Sequence, residues 1–122
     1  MREIQVQKLT KDNSGKYGEF LDLLDESELK KKSIFQEGFF ADVVALEFNQ
    51  GNQPTISVCH VKKQSENIIS FLEAHQYACE GLLPLDGDVI IFVGIMDSDF
   101  RTESIEAFYV PKGTFVKLNP LI

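Results

Sequence analysis

From Phe39 onward the chain reads as short segments of alternating polarity with turn residues between them. Phe40, Val44, Leu46 and Phe48 share one parity, interrupted by Asp42, while Ala41, Val43 and Ala45 share the other. So little polar surface on either face predicts a central strand. The turn-rich Asn49-Gln50-Gly51-Asn52-Gln53-Pro54 follows, and then Ile56, Val58 and His60 alternate with Ser57, Cys59 and Val61, so the two runs predict a hairpin. Further strands are predicted for 89–93 after Leu85-Asp86-Gly87, for 105–110 after Met96-Asp97-Ser98-Asp99, and for 114–118 after Pro111-Lys112-Gly113.

The N-terminal third is less regular. Ile4 and Val6 predict a short opening strand, and Thr10-Lys11-Asp12-Asn13-Ser14-Gly15 has the residues of a turn or helix start. Tyr17 to Leu24 fits either a strand or one helical turn. Asp25 to Lys32 fits an exposed loop or a short solvated helix, with acids in its first turn and lysines in its last. In 65–81, Ile68, Leu72, His75 and Cys79 recur at helical spacing, which would suit a helical interaction module, but the surrounding pattern favours strands. Together these elements predict a mainly β domain over residues 1–122, a barrel with short N-terminal helical or loop elements.

Composition narrows the function classes. Ten phenylalanines against three tyrosines and no tryptophan point to core filling more than polar recognition. A net charge of −7 repels nucleic acid and anionic membranes. No apolar run reaches the roughly 20 residues of a membrane span, and the first residues lack the apolar core of a signal peptide, so a cytoplasmic protein is expected. In that compartment Cys59 and Cys79 read as small apolar residues rather than a disulfide. Asn119-Pro120-Leu121-Ile122 follows a strand directly, leaving an edge for a dimer mate or a longer native chain to cover.

One stretch carries candidate chemistry: His75-Gln76-Tyr77-Ala78-Cys79-Glu80-Gly81-Leu82-Leu83-Pro84-Leu85-Asp86-Gly87. It resembles the first cupin motif, with Tyr77 where a second histidine would stand and Glu80 and Gly87 at the motif's interval. Pro111-Lys112-Gly113 resembles the turn of the second motif, and Val116 occupies its histidine position. Within the cupins the order of landmarks is similar to the ureidoglycolate lyases: Val6-Gln7-Lys8-Leu9-Thr10, Tyr17-Gly18-Glu19, Thr55-Ile56-Ser57-Val58, Glu73-Ala74-His75, Leu83-Pro84-Leu85-Asp86-Gly87, and Gly113 followed by Lys117 and Asn119.

The resemblance implies a double-stranded β-helix (a jelly-roll barrel) that forms homodimers and splits ureidoglycolate into glyoxylate and urea during allantoin and purine nitrogen breakdown. It also implies a divalent metal, nickel or zinc, although this chain's ligand set is incomplete and its metal residues are undefined. Three features depart from the family: His60 stands where an arginine is expected, Lys117 where a histidine is, and the tryptophan- and histidine-rich segment after Asn119 is missing, as though the natural C-terminal segment were lacking.

The candidate catalytic residues are Glu80 as the base for the substrate hydroxyl, His75 as the donor to the departing nitrogen and Lys117 as the cation for the carboxylate. His60 and Tyr77 are candidates for substrate binding. Each has a plainer reading: a satisfied histidine for His75, an exposed strand residue for His60, a surface carboxylate for Glu80, an edge-protecting lysine for Lys117 and a space-filling ring for Tyr77. The competing function is a non-catalytic cupin domain that has lost its metal ligands and binds a small anionic metabolite or acts through its dimer interface.

Overall fold

The computed structural model describes residues 2–48 and 53–122. Its ordered elements are β1 (Val6–Lys8), α1 (Lys11–Ser14), β2 (Gly18–Asp22), α2 (Glu26–Lys32), β3 (Glu80–Leu82), β4 (Val89–Val93), a 3₁₀ turn (Thr102–Ser104), β5 (Glu106–Val110) and β6 (Thr114–Leu118). The strands form two three-stranded sheets, ordered β1-β5-β4 and β2-β6-β3. They are mainly antiparallel, with β1 and β5 running parallel.

Local chemistry explains both helices. The Thr10 hydroxyl accepts the Asn13 N–H at 3.2 Å while Asn13 Oδ1 accepts the Thr10 N–H at 2.9 Å, a reciprocal cap that starts α1. Asp25 caps α2 by accepting the Ser27 N–H and hydroxyl at 3.1 and 2.8 Å. The Ser27 hydroxyl is the main group holding the Asp25 carboxyl below its ordinary value. With Glu26 and Glu28 in its first turn and Lys30, Lys31 and Lys32 in its last, α2 takes the helical alternative for 25–32.

The core lies between the sheets. Alternation in β4, β5 and β6 turns Val93, Phe108 and Val110 from one sheet toward Val116 and Leu118 from the other, with Tyr17 packed among them. Tyr17 meets Phe108 edge to face at 5.9 Å. Two connections fix how the sheets face each other. The 83–88 turn carries the chain from β3 in one sheet to β4 in the other, and Pro111-Lys112-Gly113 carries it back from β5 to β6. Hence the β4–β5 pair is nested inside the β3–β6 pair. The two turns also touch, since the Gly113 N–H donates to the Pro84 carbonyl at 2.9 Å and the Lys112 N–H to Asp88 Oδ1 at 2.8 Å. Gly113 sits at φ +82, where a side chain is strained, and a Cβ there would lie 2.5 Å from Leu24.

The structure corrects three expectations. The strands do not close into a barrel, because each sheet keeps two end strands. The hairpin of 40–48 with 56–61 does not form: the only pairing of its described residues is one antiparallel bridge from Phe48 to Ala78, and 53–61 belongs to no strand. Its turn at 49–52 lies outside the described residues. In 65–81 only Glu80–Leu82 enters a sheet, and no helix forms there. Apolar alternation reports a segment able to pair; it does not supply the neighbouring edge. No helix among the described residues is long and apolar enough to cross a membrane.

Candidate functional site

The β3–β6 register decides which expected site residues face one another. Glu80 lies opposite Leu118, Gly81 opposite Lys117 and Leu82 opposite Val116. Directly paired residues project to the same side of a sheet. Glu80 therefore shares the side of Leu118 and Val116, which face the core, and Lys117 projects from the other side.

His75 and Glu80 are brought together. His75 Nε2 lies 3.8 Å from Glu80 Oε2 and 3.5 Å from Glu73 Oε1, and all three side chains are close to half exposed or more. The backbone of His75 is fixed from behind: its carbonyl accepts the Leu121 N–H at 2.7 Å, and the Leu121 carbonyl accepts the Met96 N–H at 2.8 Å. An imidazole beside a carboxylate can exchange a proton with it, so the pair suits acid–base chemistry at an open surface.

Among the described residues no hydrogen bond or ion pair joins the other three residues to that pair. Lys117 is 8% exposed, and its ammonium sits 3.8 Å from Glu19 Oε1 and 3.5 Å from Glu47 Oε1, which ties it to β2 and to the stretch preceding the Phe48 bridge. His60 lies in the exposed segment that joins no sheet. Tyr77 is about half exposed, one residue before the Ala78 bridge.

The residues present do not fit the divalent metal that the resemblance implies. Val116, at the second motif's histidine position, is 4% exposed within the apolar core. A cavity of only about 10 Å³ lies there, with a lining that includes Leu9, Phe20, Ile91, Val93 and Phe108. Among the described residues no three His, Cys, Asp or Glu side chains are grouped to hold a metal ion.

A second polar cluster escaped the sequence reading. Glu106, on the core-facing parity of β5, accepts the Tyr17 hydroxyl and the Lys16 ammonium, the latter at 2.8 Å, and takes the Gln7 side-chain N–H at 3.1 Å. Burial pushes the Tyr17 phenol well above its ordinary value, and the Glu106 carboxylate adds to the rise. For Glu106 burial acts upward, but the bonds from Lys16, Tyr17 and Gln7 outweigh it and hold the carboxyl below its ordinary value. An acid at the mouth of an otherwise apolar strand was the available signal. Its partners lie about 90 and 99 residues earlier, beyond the reach of local pattern.

Comparison with protein-family models, curated proteins and solved structures returned no match.

Proposed function

We propose that this chain is a cupin-type double-stranded β-helix of the ureidoglycolate lyase kind, splitting ureidoglycolate into glyoxylate and urea. The observation that carries the reading is the nesting of β4–β5 inside β3–β6, with the two connecting turns, at the sites of the two motif-like sequences, hydrogen-bonded to each other. Nested antiparallel pairs on facing sheets are the layout of a jelly roll. Fold alone says little about chemistry, so the activity rests on His75 and Glu80.

In the proposed reaction Glu80 takes the proton from the substrate hydroxyl as the carbon–oxygen double bond of glyoxylate forms. The carbon–nitrogen bond breaks, and protonated His75 gives its proton to the departing urea nitrogen. Glu80 has then gained the proton that His75 lost, and the two exposed side chains, 3.8 Å apart, return it once they close to hydrogen-bond distance. Lys117, engaged with Glu19 and Glu47 across the sheet, has no part in this scheme.

Val116, packed in the apolar core where the second motif has its histidine, favours a second reading, a non-catalytic domain that binds a small anionic metabolite. Incubation of the full chain with ureidoglycolate separates the two. Glyoxylate and urea appearing in equal amounts supports the lyase; a rise in melting temperature with small carboxylates but no product supports the binding domain.

A further inference from the structure

A second cavity, of about 150 Å³, lies between the Lys16-Tyr17 step that leads into β2 and the loop that joins β4 to β5. It is far larger than the one in the core, and the lyase reading uses none of its residues. Its charges stand apart: Lys16 comes from the chain before β2, Asp97 and Asp99 from the β4–β5 loop, and among the described residues no ion pair joins the lysine to either acid.

Each polar group around the cavity keeps capacity for a further partner. Lys16 bonds Glu106 at 2.8 Å, but that carboxylate also accepts from Tyr17 and Gln7, so its charge is shared among three donors and the ammonium retains N–H groups for another acceptor. Asp97 is fixed by its own turn, its Oδ1 accepting the Asp99 N–H at 2.9 Å and its carbonyl the Phe100 N–H at 3.2 Å. The Asp99 carboxylate takes no hydrogen bond among the described residues. The Ser104 hydroxyl donates to the Arg101 carbonyl at 2.7 Å, which leaves its oxygen an acceptor. Beside these groups Ile95 and Phe100, each 37% exposed, supply apolar surface, and the Phe100 ring lies against Gly94, where a Cβ would come within 3.0 Å of it.

We infer that this cavity binds a small zwitterion, an α-amino acid with a short aliphatic side chain. Its carboxylate accepts from Lys16, its ammonium donates to Asp97, Asp99 and the Ser104 oxygen, and its side chain rests on Ile95 and Phe100. Opposite charges that line one cavity without pairing are complementary to a ligand that carries both. An amine alone would face Lys16, and a carboxylate alone would face two acids. A cavity of about 150 Å³ takes a benzene-sized molecule, which suits alanine or valine. The inference is independent of the lyase reading.

Titration of the intact chain with L-valine, followed by the NMR shifts of its backbone amides, tests it. Saturable shifts are expected at 95–104 and at Lys16 and Tyr17, with a dissociation constant of about 1 mM or lower, the scale of a ligand this small. Isobutylamine and 3-methylbutanoate, which are valine without its carboxylate and without its ammonium, should each bind about tenfold more weakly or worse, the worth of one charged hydrogen bond. Asp99→Asn and Lys16→Met should each weaken valine binding by a similar factor. Asp99→Asn should do so with the melting temperature preserved, because that carboxylate has no hydrogen bond within the described chain to lose. The absence of saturable shifts at 95–104, an amine or carboxylate that matches valine, or binding indifferent to both variants overturns the inference.

Discussion

Replacing Tyr17 by Phe removes one oxygen from the cluster that joins β1, the start of β2 and β5, and leaves the ring in place. Tyr17 is 3% exposed and keeps its edge contact with Phe108, so packing changes little. What is lost is a hydrogen bond to a charged acceptor, a class worth about 1.5–3 kcal/mol. Glu106 retains Lys16 and Gln7, which sets the expected cost at the lower end, about 1.5–2 kcal/mol. For a domain of this length that lowers the melting temperature by about 5–10 °C.

The cost should depend on pH in a stated way. Because the Glu106 carboxyl is held low, the stability it supplies is present above the unfolded carboxylate value near ~4.3 and fades as pH falls through the folded value. Because the Tyr17 phenol is held high, its share is full below ~10 and fades as pH rises beyond that. The difference between wild type and Tyr17→Phe, read by urea denaturation, should therefore form a plateau across roughly pH 5–9 and narrow on both sides. A deficit below about 0.5 kcal/mol, or one unchanged from about pH 3 to 11, would refute the cluster's role.

Gly113→Ala should cost about 1–3 kcal/mol in the same assay, because a side chain at φ +82 is strained and meets Leu24. Gly87→Ala, with open space around its Cβ, should cost less. Lys117→Met should change stability by under about 1 kcal/mol, since both partner glutamates are more than half exposed and the pairs are loose. It should also leave urea release unchanged; a collapse of activity would return Lys117 to the substrate.

The sequence made the second half of the fold legible in β4, β5 and β6, short apolar-rich runs set between turns that name their own positions, such as Pro111-Lys112-Gly113. At Thr10–Gly15 and Asp25–Lys32 the sequence left a turn or loop open beside a helix, and capping by Thr10 and Asp25 decides for the helix. It misled at 39–61, because the β pattern there is as strong as in the strands that form while the pairing edge depends on distant chain. At the site, the motif named His75 and Glu80, which lie 3.8 Å apart, but the face that Lys117 takes follows from cross-sheet register, which periodicity within β6 leaves open. The Tyr17–Glu106 bond spans 89 residues and has no local signature at either end.

The most direct test of the lyase reading is the steady-state cleavage of ureidoglycolate by wild type and by Glu80→Gln, with glyoxylate and urea both quantified. Removing a general base lowers turnover by about 10²–10⁴-fold, and that loss is expected with the variant's melting temperature preserved, because Glu80 is exposed at the start of an end strand. Equal turnover in the two proteins, or none in wild type, would contradict the account.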